Sequence, residues 1–324
     1  MGVCVRMADL RNIAPRTAGR NTAPGRTVSG SPAPGGPGAG SMADTRFATL
    51  GRPRHVWAIG AIHAQPDPLD AIHHAIAERF QPGDRLVYLG NMIGHGERVL
   101  DTIDRLLVFR RALLSRRGML ASDIVYLRGA QEEMWQKLLQ LHFAPDPRHV
   151  LDWMLRQGVG PTLAAYGGTP DAGMAAARGG TVMLGRWTRG LRQAVQARPG
   201  HEALFNALRR AAYTGGADGG DADADGNGGG GPDDARLLLV SAGIDPARPL
   251  TGQGDAFWWG GNGFARLDAP YGAFQRLVRG FDPARRGLAV GAHTITLDGG
   301  CGFGGPLVCA RLDSAGEPLE LLQA

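Results

Sequence analysis

Three features of the sequence predict an α/β fold built on a largely parallel sheet. Short apolar runs alternate with stretches of helical period. The first such runs end in Gly followed by a polar turn, as strands feeding crossover helices do. With 43% hydrophobic residues in 324, the chain can bury a sizeable core.

The elements follow in order. His55–Gly60 reads as a buried strand, and Pro68–Phe80 as a helix carrying Leu69, Ile72, Ile76 and Phe80 on one face. Arg85–Leu89 is a second strand, Val99–Leu114 a long helix, Ile124–Leu127 a third strand and Glu132–Leu141 a third helix. Ligands of open α/β sheets bind at the C-terminal ends of such strands. Residues 147–213 read as a helical insertion, because Val150–Arg156, Leu184–Ala197 and Glu202–Tyr213 repeat apolar residues every three or four positions. Residues 214–235 form a Gly/Asp-rich spacer, expected to be a flexible loop. Within it, Asp221-Ala-Asp-Ala-Asp-Gly-Asn227 resembles the opening of a calcium loop, but Pro232 stands where the closing Glu belongs. Strands are expected again at Arg236–Val240, Leu288–Val290, Thr294–Leu297 and Leu307–Leu312.

Residues 1–53 are rich in Gly, Pro, Ala, Ser, Thr and Arg, and are expected to be a disordered tail. The folded domain is expected over 54–324. Residues 1–54 hold eight Arg against two acidic residues, which accounts for the whole net charge of +5. The remainder is close to neutral, and only Lys137 among the 35 basic residues is Lys, so nucleic acid is not an expected partner. No apolar run approaches the roughly 18 residues of a membrane span. No signal-peptide core of about 7–15 apolar residues is visible, so a cytoplasmic protein is expected and no membrane partner. Cys4, Cys301 and Cys309 lack zinc-ligand spacing and are read as reduced thiols.

Five blocks carry the chemistry: His55-Val-Trp-Ala-Ile-Gly-Ala-Ile-His-Ala64, Gly90-Asn-Met-Ile-Gly-His-Gly96, Gly129-Ala-Gln-Glu132, Ser241-Ala-Gly-Ile244 and Gly291-Ala-His-Thr294. In this order they resemble the signature of the calcineurin-like metallophosphoesterases, bacterial serine/threonine phosphatase branch. That family reads Gly-Asp-x-His-Gly, Gly-Asp-x-x-Asp-Arg-Gly, Gly-Asn-His-Glu, His-Ala-Gly or His-Gly-Gly, then Gly-His-Thr. The resemblance spans about residues 54–312. It implies a four-layer αββα sandwich of two mixed β-sheets, with the helical insertion capping the cleft.

The family holds two divalent metals that activate a water for in-line attack on phosphorus. Position by position, the resemblance implies that most of that apparatus is missing. The first Asp falls on Ala61, the bridging Asp on Asn91, the Asn on Ala130 and the His of His-Ala-Gly on Ser241. The proton-donating His falls on Gln131, its Asp partner on Gly94 and the phosphate-binding Arg on His95. His63 and His293 keep the family's residue type, and Asn91 is the third candidate ligand. Losing both carboxylates removes the charge that holds a dication pair. The expectation is therefore a pseudophosphatase that binds a phosphorylated ligand or a partner protein, with no cofactor. The alternative is a residual metal-dependent phosphoesterase, acting on phosphoprotein or a diadenosine tetraphosphate-like substrate, with Mn, Fe or Zn at His63, Asn91 and His293.

Overall fold

The computed structural model describes residues 6–7, 46–215, 236–261 and 263–324. Strand β1 is Arg6–Met7 and β2 is Phe47–Thr49. Strand β3 (Val56–Ile59) is buried throughout and leads to helix α1 (Pro66–Ala77). This helix begins two residues earlier than its apolar face suggests, because a proline is compatible with the first helical position. Strand β4 (Arg85–Tyr88), helix α2 (Val99–Leu114), strand β5 (Ile124–Tyr126) and helix α3 (Ala130–Leu139) complete the β-α-β-α-β run.

The insertion comprises α4 (Pro147–Met154), a π-turn at Leu155–Val159, α5 (Gly160–Ala165), α6 (Pro170–Arg178), α7 (Thr181–Gln196) and α8 (His201–Asn206). Then come β6 (Ala211–Tyr213), β7 (Leu237–Val240), α9 (Ala256–Trp259), β8 (Arg276–Arg279), β9 (Ala289–Val290), β10 (Thr294–Thr296), β11 (Val308–Leu312) and β12 (Pro318–Gln323).

The strands form two six-stranded mixed sheets, ordered β1-β12-β11-β3-β4-β5 and β2-β6-β7-β8-β10-β9. In the first, β3, β4 and β5 run parallel while β11 returns antiparallel to β3. In the second, β7, β8 and β10 run parallel. Period-two alternation builds the layers. Val56, Ala58, Val87 and Leu89 face Leu237, Leu239, Val278 and Ile295 in the core between the sheets. Trp57, Ile59, Leu86 and Tyr88 point the other way, into the helices.

This is the α/β sandwich of two mixed sheets that was expected, with an uneven fourth layer. The helical insertion joins α1 to α3 on the first sheet, contributing Leu151, Leu163, Leu184 and Leu191 to the same core. Among the described residues, the outer face of the second sheet is covered by the one-turn α9 and irregular segments, through Phe257, Trp258, Phe264 and Phe274. The insertion meets the second half of the chain where Trp153 packs edge-on against Trp259, 5.4 Å between ring centroids.

Two expectations shift. The tail was drawn to residue 53, but Phe47–Thr49 pairs in parallel with β6, and Leu50 is fully buried beyond it. Arg6–Met7 likewise pairs with β12, while residues 1–5 and 8–45 lie outside the described residues. The predicted helix through Tyr213 ends at Asn206, because Ala211–Tyr213 is held between β2 and β7. Of the 214–235 spacer, residues 216–235 with the calcium-like stretch also lie outside the described residues. Cys301 and Cys309 are free and buried. Among the described residues no helix is long and apolar enough to cross a membrane.

Candidate functional site

The loops that leave β3, β4, β5, β7, β8 and β10 are tied to one another through backbone and side-chain hydrogen bonds. Ile62 and His63 both donate their amides to Asn91 O, at 3.0 and 2.8 Å, and Ala64 N donates to Met92 O at 2.9 Å. Ala61 N donates to Gly280 O, while Gly280 N and Phe281 N both donate to Ser241 O, each at 3.0 Å. Asp298, after β10, accepts Asp282 N at 2.8 Å.

One carboxylate organises the β4 and β5 loops. Glu132 accepts N–H bonds from Gly129 (2.8 Å), Asn91 (2.8 Å), Met92 (2.7 Å) and Ile93 (3.2 Å). Burial pushes its pKa up, and the four amides oppose that shift. The sequence reading gave Glu132 only a helix-starting role. Among the described residues the non-glycine positions with left-handed φ are His63 (49°), Ala64 (56°), Asn91 (52°), His95 (59°) and Arg285 (49°). Four of these five lie in the β3 and β4 loops. Backbone strain of this kind concentrates at functional sites.

The side chains of these loops have partners. Gln131 donates through Nε2 to Gln157 O at 2.8 Å in the π-turn, and the same nitrogen lies 3.1 Å from His95 Nε2. Its side chain covers Gly94, so that a Cβ there would overlap it. His95 rests in the same way on Gly158, whose carbonyl accepts His95 N at 3.0 Å. Asn91 Oδ1 accepts the backbone amide of Gln131 at 3.1 Å. Ala61, Ala130 and Ser241 are buried around the same loops.

At the centre, His63 is almost fully buried and ringed edge-on by His95, Phe303 and Phe281, with centroids at 4.9, 5.2 and 5.5 Å. Burial first, then repulsion from His95 and Arg285, lowers its pKa to about 3; the Ile93 backbone offsets this in part. Neither ring nitrogen makes a well-formed hydrogen bond. Burial, and next the Arg285 guanidinium, also lowers His95. Arg285 itself lies 3.6 Å from the centroid of the Phe303 ring.

The site brings together His63, Asn91, Gly94, His95 and Gln131, but not His293. β8 and β10 are parallel; His293 precedes β10, whereas the cleft lies where β8 and β10 end. His293 shares a hydrogen bond with Gln275 O and lines a separate groove of about 490 Å³ on the outer face of the second sheet. The residue that leaves the second sheet to meet His63 is Phe281. Its signal was Gly280-Phe-Asp-Pro283 at the end of a strand the apolar pattern did not reveal. Among the described residues no three His, Cys, Asp or Glu side chains form a group able to hold a metal.

The chain forms two mixed sheets, and four of the five blocks meet where parallel strands end. The fold is of the metallophosphoesterase type. No family model matches the chain, and no curated protein matches it. Among solved structures, a candidate diadenosine tetraphosphatase is 17% identical, covering 85% of this chain and 96% of its own, with a TM-score of 0.49. A protein serine/threonine phosphatase from Saccharomyces cerevisiae is 11% identical over 82% of this chain and 76% of its own, with a TM-score of 0.42. A variant of a cold-active protein tyrosine phosphatase is 12% identical over 88% and 86%, with a TM-score of 0.41. These are similarities of outline; the architecture of this chain stands on its own strand order.

Proposed function

We propose that this metallophosphoesterase-type chain is a pseudophosphatase, a binding or regulatory module whose cleft holds a phosphorylated ligand without hydrolysing it. The observation that carries the reading is the closure of Phe281 and Phe303 on His63. The residues present do not fit a pair of Mn, Fe or Zn ions. Such ions need several anionic or imidazole donors. Ala61 and Ala130 have no donor atom in their side chains, and the Asn91 carbonyl is engaged by the Gln131 amide. A guanidinium also stands beside the imidazoles, where it repels a dication.

The same guanidinium supports an anionic ligand. Arg285 is exposed and has no carboxylate partner among the described residues. Guanidinium is well matched to phosphate oxygens. A cytoplasmic location belongs to this proposal, in keeping with the free thiols of Cys301 and Cys309.

The test pairs hydrolysis with binding. With Mn2+ added, p-nitrophenyl phosphate should remain intact. Phosphoserine should bind saturably with or without a chelator, and Arg285→Ala should weaken it at least about tenfold, some 1.4 kcal/mol. Mn2+-dependent turnover that disappears in His63→Ala would overturn the proposal and point to the residual hydrolase.

A further inference from the structure

A separate pocket opens among α3, α7 and α8, with a volume of about 210 Å³. Trp135, Val195, Phe205 and Leu208 supply its apolar lining, and Arg192 and Glu202 its charges. The two charges do not pair with each other. Arg192 donates through Nη2 to the backbone carbonyl of Leu139, and Glu202 accepts from Gln196 Nε2 at 2.9 Å. Glu132 also reaches the lining, but its carboxylate is engaged by four backbone amides.

Opposite charges that do not pair with each other, beside an apolar surface, select for a particular ligand. A simple anion meets Arg192 and is repelled by Glu202; a simple cation meets the reverse. A zwitterion with an apolar body satisfies both. The volume suits a small one, since a cavity of about 150 Å³ already admits benzene. We propose that this pocket binds a free apolar α-amino acid, with its carboxylate on Arg192, its ammonium on Glu202 and its side chain against Trp135 and Phe205. Glu132 borders both this pocket and the cleft loops, but the proposal does not rest on the function proposed for the cleft.

Calorimetry on the full-length protein tests this with four probes. L-Phenylalanine and L-leucine should bind saturably. Phenylacetate lacks the ammonium and phenethylamine the carboxylate, and each should bind at least about tenfold more weakly than phenylalanine. Arg192→Met should remove the preference over phenethylamine, and Glu202→Gln the preference over phenylacetate. Arg285→Ala should leave phenylalanine binding unchanged. The four-probe comparison uses unaltered protein, so it does not depend on any variant folding. The proposal is overturned if neither amino acid gives saturable heat at millimolar concentration, or if phenylacetate or phenethylamine binds as tightly as phenylalanine.

Discussion

Gln131 fills the space that a side chain at Gly94 would occupy, and the same Gln131 bridges to the π-turn through Gln157 O. These two residues stand where the resembling family has a proton-donating His and its Asp partner. They are fitted to each other, Gln131 lying in the space a Cβ at Gly94 would need. Gly94→Asp should destabilise the fold by about 1–3 kcal/mol through overpacking, beyond the strain of a left-handed φ of 80°. Combining it with Gln131→Ala should cost less than the sum of the single changes. Urea midpoints around this double-mutant cycle measure the coupling; simple additivity would refute the interlock.

His63 and His73 are both buried, with pKa lowered from 6.5 to about 3, mainly by burial. Between those values the unfolded chain binds protons that the folded chain excludes. Stability should therefore be complete above about pH 6.5 and fall as the pH drops toward 3. At about pH 4.5 the loss should be on the order of 2 kcal/mol for each imidazole. His63→Phe should remove about half of this dependence. Denaturant midpoints at neutral and acid pH decide it: an unchanged slope in the variant would assign the loss elsewhere.

Glu132→Gln keeps the shape and removes the charge that four backbone amides address. The loss should be about 2–4 kcal/mol, because a neutral amide accepts through one oxygen and leaves buried N–H groups unsatisfied. Hydrogen exchange should accelerate at Asn91, Met92 and Ile93, with little change in β12. Uniform acceleration across the sheets would mean that Glu132 supports the fold at large and not these loops.

Replacing Ala61→Asp, Asn91→Asp, Ala130→Asn, Gln131→His and Ser241→His together should not give strong Mn2+ binding while Phe281 covers His63. Adding Phe281→His should raise affinity by at least about tenfold. His293→Ala in that background should leave Mn2+ binding unchanged, since His293 lies across the length of β10. Calorimetric titration checks both statements, and Mn2+ binding that depends on His293 would reverse the assignment.

The first sheet was legible because β3, β4 and β5 are apolar runs ending in glycine, and α2 because its apolar residues recur over four turns. β8 was hidden by its composition. In Arg276-Leu-Val-Arg279 both ends look solvated, yet both arginines are buried, paired with Glu317 and Asp282. Phe47–Thr49 is too short to show a period, and Ala211–Tyr213 continues a helical pattern until its neighbours capture it. The grouping of Ala61, His63, Asn91, Gln131 and Ser241 was readable from the blocks. His293 was misassigned because Gly291-Ala-His-Thr294 matches a motif that Gly280-Phe-Asp-Pro283 does not. Only the order of strands reveals which of the two reaches the cleft.

The contacts of Gln131 with Gly94 and of His95 with Gly158 act as a ratchet on the sequence. An aspartate at 94 meets Gln131 before it meets anything it could activate, and a larger side chain at 95 must enter space the imidazole already shares with the π-turn. Exchanging Gly94 for Asp, or His95 for Arg, alone is therefore expected to weaken the fold. A designer who placed larger side chains at 94 and 95 would have to move the π-turn and the cleft loops as one unit.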